Sequence, residues 1–555
     1  MKKTKKGLYL LGAYCITVII FFLLSLYLKE IITNPDEILY YSIANSLIHG
    51  HGIEVYNVSD NFQKVLYSVV ISPAFLTTNP VLRIRLIALI NSIVICSGIF
   101  PTYLLAKRLL KNKKLIISVC VLFCVFSDLT YAMSFMSEVL FLPMGLWAVY
   151  LTDKMFVKTT SLIESNERVN ISIKYIICAF LLGFYYYLVY MCKEVGAVFL
   201  VAFALCWFAY FIHGLKTHVI DRVRLKILLL QFAFVCFGFF AIMEFLKFVM
   251  FAGNGSTYNI ADTSVYTDLF NIYYVNYGAV YFISMTIFAY GIFPIVYPLL
   301  NWRKLERKDL NFLLYILLLL VMSAIVVSYK ISAGENQGQT TPRIHLRYIC
   351  YLFLPYVIIM LNAYEHGAKT KIKNLLITIS ALSAWYLLIA FTSFQTIVSY
   401  EDFVDHTMLQ YMSQNMNYQM LILCIYLVVM FIIGILICKK EKKGIIFALC
   451  ALVGLNVWND VLTIGHRKYI NSCDSKQDIT EIEWLSNFTS EHSNQNILVL
   501  SDGGRKSLFL ATYEDERNVF TLDYDSYYAY FENTIPDQEN WNDVHQNVHV
   551  PRSNS

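Results

Sequence analysis

Thirteen long apolar runs divide this chain of 555 residues, and they constrain its fold more than any other feature. Each run holds about 18 or more residues, the length of helix that crosses a bilayer core of roughly 30 Å. The composition agrees, because 57% of the residues are hydrophobic and only 15% are charged, which is unusual for a soluble domain. We therefore predict an all-α polytopic membrane protein. Its predicted spans are 8–28, 84–106, 115–133, 138–157, 174–192, 195–213, 227–250, 278–300, 312–331, 347–365, 375–398, 418–438 and 444–465.

The basic residues between the runs indicate the orientation. The first run follows a lysine-rich start, crosses a full bilayer and has no small-residue cleavage site after it, so we expect an uncleaved anchor. With a cytoplasmic N-terminus, thirteen spans place every basic loop on the inner side, as the positive-inside rule requires, and the C-terminus outside. Topology therefore explains these loops better than nucleic-acid binding does. The loops are 107–114, 216–226, 303–308, 369–373 and 439–443.

The chain is predicted to have two parts. Residues 1–465 form a transmembrane module whose first outer segment, 29–83, is the longest connection, and residues 466–555 form a polar extracytoplasmic tail. The tail pattern predicts a short helix at 478–488 and strands at 496–501 and 518–522, which indicates a small α/β domain. A composition rich in Lys, Asn, Ile and Tyr favours a bacterial plasma membrane as the location.

An acidic pair, Asp36 and Glu37, stands near the start of the outer segment 29–83. Carboxylates at the mouth of a lipid-embedded bundle are placed for acid or base chemistry on a substrate presented from the bilayer. A structural alternative explains the same residues, with Asn34 as N-cap, Pro35 at the first helical position and both acids favoured by the helix dipole. The segment is too long for a simple connector, which favours function, and a rigid helix start also holds a base in place.

Three short motifs carry a resemblance to a known family. The outer segment reads Asn34-Pro35-Asp36-Glu37 with Tyr40, Ala44, Leu47, Gly50 and Gly52 and closes at Ser72-Pro73; Ser137-Glu138 follows the third span, and Arg347-Tyr348 begins a late one. These motifs resemble the first outer loop, the second acidic position and the Arg-Tyr motif of GT-C glycosyltransferases. The similarity is to the branch of protein O-mannosyltransferases and lipid A aminoarabinose transferases, whose thirteen-span layout with an outer C-terminal domain this chain also resembles.

The resemblance implies transfer of a sugar from a polyprenyl-phosphate carrier to an extracytoplasmic protein, glycolipid or cell-envelope polymer. In such a reaction a carboxylate removes the acceptor's hydroxyl proton as the oxygen attacks the anomeric carbon. We expect Asp36 to be this base, with inversion at the anomeric centre, and Glu37 to be its partner or to bind the acceptor or a metal. Fixed cations would stabilise the charge that develops on the departing polyprenyl phosphate. Which hexose or pentose is moved stays open.

Five further residues are candidates for the site. Arg343 and Arg347, the latter followed by Tyr348, are the main basic residues of the outer face, and we expect Arg347 to bind the leaving phosphate. Lys193 lies in an outer turn, where it is expected either to contact the same phosphate or to snorkel toward the interface. Glu138 is expected to be functional, because an acid at membrane depth is costly unless it is used or paired, although a helix-dipole cap is the alternative.

A metal site is the weaker interpretation of the two histidines near the acids. His49 and His51 flank Gly50 in a short turn, and with the nearby carboxylates they leave a divalent metal ion as an open alternative. No third ligand at suitable spacing is evident, and solvated histidines in a loop are the simpler explanation.

Two other functions stay open at this stage. A transporter or flippase for a lipid-linked sugar would be expected to show charges within spans or helices broken by Gly and Pro in two corresponding halves. A non-catalytic protein of envelope-polymer assembly would depend on the outer tail, so that deleting residues 470–555 would abolish function while the loop acids were dispensable.

Overall fold

The structure of this chain is a computed structural model. It describes residues 2–27, 30–32, 35–55, 58–59, 62, 64–164, 173–216, 222–251, 272–335, 346–367, 372–392, 416–439, 442–469, 476–478, 482–484, 487–488, 491, 497–501 and 519–523.

Helices account for most of the described chain. They are α1 Lys2–Tyr27, α2 Pro35–Ile48, α3 Leu66–Ile71, α4 Pro80–Cys96, α5 Ile99–Leu109, α6 Lys113–Cys124, α7 Glu138–Glu164, α8 Ile173–Cys192, α9 Ala197–Lys216, α10 Arg222–Phe251, α11 Ile272–Ala289, α12 Phe293–Leu300, α13 Arg307–Glu335, α14 Phe353–Glu365, α15 Ile372–Thr392, α16 Met416–Cys438 and α17 Lys442–Tyr469. Short 3-10 helices stand at Ser72–Leu76, Ser127–Met133, Glu194–Gly196, Trp302–Lys304 and Leu346–Leu352.

Ten helical segments among the described residues are long and apolar enough to cross a membrane. They coincide with ten of the predicted runs, so the prediction of an all-α polytopic membrane protein is confirmed. The count of thirteen is not. Run 278–300 is bent, run 418–438 contains a shorter apolar helix at Leu423–Ile437, and run 375–398 extends beyond the described part of α15.

The run predicted as a span at 278–300 is interrupted by a sharp bend. Helices α11 and α12 meet at an angle of 102°. Between them Gly291 has a φ of 82° and Ile292 a φ of 63°, a left-handed conformation that ends the first helix. Pro294 in the first turn of α12 then suits the start of a new helix, because its missing N–H would have had no partner there. The hydrophobic run alone does not reveal the break.

The buried core lies inside the helical bundle, and α8 and α10 approach each other most closely through two glycines. A Cβ added to Gly183 would overlap the carbonyl oxygen of Val235, and one added to Gly238 would overlap that of Phe180. Small residues let helix backbones approach in this way in membranes, where close packing drives helix association.

Among the described residues, six short strands form three two-stranded sheets. They are β1 Glu30–Ile32, β2 Glu54–Val55, β3 Val58–Ser59, β4 Lys476–Asp478, β5 Ile497–Ser501 and β6 Val519–Asp523. The parallel pair β5–β6 lies at the two predicted tail strands, whereas the predicted helix at 478–488 is wrong at its start, because Asp478 belongs to β4. A separate α/β domain stays a prediction.

The tail also joins the first outer segment. Strand β4 pairs with β1 in antiparallel register, with Ile31 opposite Gln477, and β1 ends three residues before α2 begins. Ile482, just after β4, is 1% exposed and belongs to the same hydrophobic core as the bundle. Strand β4 is therefore docked close to the start of α2, and Ile482 is packed into the bundle core.

A cluster of paired charges lies at the end of the bundle where the basic loops are. The guanidinium of Arg108 forms ion pairs with Asp153 on α7 and with Asp309 on α13. The side-chain amide of Asn362 donates to Asp309 over 3.2 Å. Asp153 follows the first residue of α7 by four turns, about 22 Å at the usual rise of an α-helix. Buried charges therefore occur at the first residue of α7 and again at Asp153, past its middle.

The glycine contact between α8 and α10 gives a first prediction. Gly183→Ala is expected to lower the free energy of unfolding by about 1–3 kcal/mol, because the helices must separate to admit the methyl group. The measurement is reversible unfolding in mixed micelles. Gly454→Ala in α17 is the control, since nothing lies within 4 Å of its added Cβ. Equal stability of the two variants would contradict the close approach of the backbones.

Candidate functional site

The centre of the candidate site is a buried carboxylate shared by two cations. Glu138 is the first residue of α7 and is 1% exposed. The ammonium group of Lys193 forms an ion pair with its Oε1, and the Nε of Arg347 lies 3.5 Å from the same oxygen. A charge in so buried a place needs compensation, and here it comes from two different elements of the fold.

The two cations are also held by one aromatic ring. Lys193 Nζ lies 4.1 Å from the centroid of the Tyr348 ring, and the guanidinium carbon of Arg347 lies 5.6 Å from it. Lys193 and Arg347 are 6% and 5% exposed, so both are largely desolvated. Attraction to the face of an aromatic ring is strongest under these conditions and fixes the two cations side by side.

Asp36 lies beside this cluster in the first turn of α2. Its Oδ2 is 3.8 Å from Arg347 Nη2, and its side chain is 54% exposed. The next residue points elsewhere, because Glu37 is 1% exposed and its Oε1 accepts a 3.0 Å hydrogen bond from the backbone N–H of Phe135. The acidic pair therefore splits into one exposed carboxylate and one buried one.

The structure brings together six of the seven residues singled out from the sequence. They are Asp36, Glu37, Glu138, Lys193, Arg347 and Tyr348. Arg343 and the proposed N-cap Asn34 lie outside the described residues. Lys193 is buried against Glu138 rather than extended toward the interface. Glu138 is paired with two cations, and it also stands in the first turn of α7, so the helix-dipole alternative stays open for it. Their chemical roles stay predictions.

Sequence reasoning missed a second ion pair next to the first. Lys64, 7% exposed, pairs with Glu194, the residue that follows Lys193. Lys64 is an isolated basic residue in an apolar stretch, and its partner lies 130 residues away, so no local pattern indicated the contact. The Lys193-Glu194 dipeptide in a short turn between two apolar runs was the only signal available.

Tyr40 was likewise not assigned a role, although it lines the acidic side of the site. It lies one turn after Asp36 in α2 and forms a side-chain hydrogen bond with Ser137. Burial, followed by the nearby charge of Asp36, raises the pKa of Tyr40 well above its usual range. Its hydroxyl therefore stays neutral near Glu138 and can donate or accept a hydrogen bond.

The arrangement can bind an anion and take up a proton within a short distance. Glu138 neutralises one of the two cations, so Lys193, Arg347 and Glu138 together carry one positive charge. Guanidinium groups bind phosphate oxygens through paired hydrogen bonds. The exposed carboxylate of Asp36 is accessible to a hydroxyl group arriving from water.

A metal-ligating group occurs elsewhere among the described residues. Glu306, Asp309 and His366 place ligand atoms within 4.8 Å of one another at the basic-loop end of the bundle. Arg108 already pairs with Asp309, and Lys308 pairs with Glu306 at 2.8 Å, so cations of the protein compete for these acids. At the outer segment, the exposed His49 turns its Nδ1 to the Asn45 carbonyl oxygen at 2.9 Å.

Comparison with known proteins finds distant structural relatives only. No family model and no curated protein matches the chain. The chain is similar to ArnT from Cupriavidus metallidurans bound to undecaprenyl phosphate, with 10% identity over 96% of this chain and 90% of that one, TM-score 0.45. The apo state of the same protein gives 12% identity over 98% and 95% of the two chains, TM-score 0.45.

The archaeal oligosaccharyltransferase AglB from Archaeoglobus fulgidus is also similar. In complex with an inhibitory peptide and a dolichol-phosphate it gives 12% identity over 93% of this chain and 64% of that one, TM-score 0.44. ArnT and AglB both belong to the GT-C superfamily that the sequence resembles. The TM-scores of these structures are below 0.5, so the likeness is distant and the function has to be inferred from the site.

Removing the shared carboxylate should destabilise the protein. Glu138→Gln is expected to lower the free energy of unfolding by about 3–5 kcal/mol, because Lys193 and Arg347 would lose their buried counter-charge. Unfolding in mixed micelles measures this loss. The matched control is Glu37→Gln, equally buried, in which a side-chain oxygen can still accept from Phe135, with an expected loss of about 1 kcal/mol. Similar losses in both variants would refute the charge argument.

The His366 contacts predict a pH dependence. Burial lowers the pKa of His366, but hydrogen bonds to the Asn362 carbonyl and the Glu306 carboxylate outweigh it and raise the pKa above 6.5. Both ring nitrogens face acceptors, so the imidazolium is the form that satisfies both. Hydrogen bonds from Lys308, then from His366, lower the pKa of Glu306 to about 2, so it stays ionised throughout.

The stabilisation should therefore be complete below pH 6.5 and disappear as the pH rises through the folded-state pKa of His366. His366→Gln is expected to lower the free energy of unfolding by about 1 kcal/mol or less at pH 5.5, and by less at pH 9. Thermal unfolding of the wild-type and His366→Gln proteins across this pH range provides the measurement. A difference that grows with pH would contradict this assignment.

Proposed function

We propose that the protein is a membrane glycosyltransferase that moves a sugar from a polyprenyl-phosphate carrier to an extracytoplasmic acceptor. The observation that carries the proposal is the exposed Asp36 carboxylate 3.8 Å from Arg347, at the edge of the buried Lys193–Glu138 pair. A base and a phosphate-binding group stand together where an apolar bundle meets its outer segment. Transfer of a glycosyl group from a lipid phosphate requires both.

Asp36 acts as the general base in this proposal. Before the donor binds, the guanidinium of Arg347 attracts the Asp36 carboxylate and orients it. The donor phosphate then takes the place of Asp36 as the anion bound to Arg347, which leaves the carboxylate free to accept the proton of the acceptor hydroxyl. The acceptor oxygen attacks the anomeric carbon from the side opposite the phosphate, and the configuration inverts.

Lys193 and Arg347 bind the departing phosphate. Their single net positive charge, counted with Glu138, attracts an anion, and their burial strengthens the attraction. Tyr348 holds both cations through its ring, and Arg343 is proposed as a further donor contact from the adjacent segment. Glu37 contacts the Phe135 backbone, so we assign it to holding α2 in place rather than to the reaction.

The orientation is part of the proposal. The ten candidate spans support a multi-pass membrane protein. We propose that the N-terminus is cytoplasmic and that α2, the 3-10 helix Leu346–Leu352 and the tail face outward in a bacterial plasma membrane, because this assignment puts the basic loops inside.

Transport of a lipid-linked sugar is the second candidate, and one observation favours it. Helices α11 and α12 form a broken helix, a feature of many transporter sites. Reconstituted protein that moves a polyprenyl-phosphate sugar across vesicles without forming a new glycosidic bond would support this alternative.

The base assignment can be tested with purified protein and a panel of polyprenyl-phosphate sugars. Asp36→Asn should lower the rate of sugar transfer or donor hydrolysis by about 10²–10⁴-fold, the usual contribution of a general base. Donor binding should persist, because Lys193 and Arg347 remain. Glu54→Gln, another acid of the first outer segment, is the control and should keep its activity. Full activity of Asp36→Asn would rule out this carboxylate as the base.

A further inference from the structure

We infer that Lys64 and Glu194 form a positioning pair that holds the segment carrying Asp36 over the cations Lys193 and Arg347. This inference rests on the proposed function. The pair itself is a structural observation, since Lys64 Nζ and Glu194 Oε2 form an ion pair whose side chains are 8% and 17% exposed. Removing two charges from water costs free energy, so a buried ion pair cannot be explained by the solubility of the protein surface.

The Glu194 end of the pair is fixed by a rigid turn. Lys193 has an extended backbone, its N–H donates to the Val189 carbonyl over 3.1 Å, and its own carbonyl accepts from Gly196 over 2.8 Å. A Cβ on Gly196 would come within 2.6 Å of the Val189 and Tyr190 backbone, so the turn is closely packed. The adjacent side chains of Lys193 and Glu194 therefore extend from one rigid turn to two different elements of the fold.

The Lys64 end leads directly to Asp36. Lys64 stands just before α3, and two residues of α3 contact Tyr40 of α2. The Tyr67 ring packs edge-on against the Tyr40 ring at 5.3 Å, and Ser68 Oγ donates to the Tyr40 carbonyl oxygen over 2.9 Å. Tyr40 lies one helical turn after Asp36, so a shift of Lys64 displaces the base.

The turn that carries Lys193 and Glu194 therefore positions both the phosphate-binding cations and the segment that carries Asp36. Lys193 reaches Glu138 and the phosphate-binding cations, and Glu194 reaches the segment that carries the base. Breaking the second contact should leave the cations in place and misplace Asp36. Errors of about 1 Å in such geometry cost on the order of 10²-fold in rate.

A direct contact between Lys64 and the donor phosphate is the competing explanation, and a charge swap separates the two. If Lys64 only positions the segment, Lys64→Glu combined with Glu194→Lys restores the ion pair and the geometry. If Lys64 binds phosphate, the glutamate introduced at position 64 repels the donor and the swap stays inactive.

The experiment compares Glu194→Gln, Lys64→Met and the swapped double variant in full-length protein. Each single variant should lower kcat by about 10-fold or more with a KM for the donor changed less than about 3-fold, and the swap should recover most of kcat. Glu244→Gln, which removes an exposed ion pair with Lys247 on α10, is the control and should be neutral.

Hydrogen exchange of the α2 amides supplies a readout that needs no activity. It should increase in both single variants and return to the wild-type level in the swap, because the segment is released and then held again. A swap that restores exchange but not turnover, or single variants that raise only KM, would overturn the positioning role.

If the wild-type protein transfers no sugar from any donor, the proposed function fails. The exchange pattern alone then decides whether the pair holds α2. Unchanged exchange in both single variants would overturn the inference whatever the activity.

Discussion

One buried carboxylate joins three elements of the fold at the candidate site. Glu138 begins α7 and is 1% exposed, and it contacts Lys193 from the turn after α8 and Arg347 from the 3-10 helix before α14. Three elements far apart in sequence meet on its oxygens. Because each charge is largely removed from water, none can leave the others without a large penalty, and the arrangement is correspondingly specific.

The helices could be predicted from the sequence because a bilayer demands long apolar segments, and that demand is visible in any window of about 20 residues. The break at Gly291 and Ile292 could not, since it depends on backbone conformation inside a run of unchanged hydrophobicity. Asp36, Glu138, Lys193 and Arg347 stood out because ionisable residues near membrane depth are rare.

Which of these charges would pair was beyond sequence reasoning. Glu138 and Lys193 are separated by 55 residues and Lys64 and Glu194 by 130, so their meeting depends on how the helices pack. Asp36 and Glu37 illustrate the same limit at close range. Adjacent in sequence and identical in charge, one is exposed beside Arg347 and the other is buried on the Phe135 backbone. Only the orientation of α2 separates them.

Helix α7 carries a buried charge at its first residue and another at Asp153, with a hydrogen-bonded hydroxyl group between them. Thr152 on this helix donates to Tyr315 over 3.2 Å, one residue before the Asp153 that pairs with Arg108. Such contacts satisfy polar groups where water is scarce, and they tie α7 to α13.

The pairing of β1 with β4 has a consequence for biogenesis. The strand just before α2 finds its neighbour in a segment that the ribosome produces only after every helix of the bundle. Strand β1 therefore has no strand partner until almost the entire polypeptide has been synthesised and inserted. Maturation of this surface should be the last event in assembly, and a chain stalled before residue 476 would reach the membrane with that edge still uncovered.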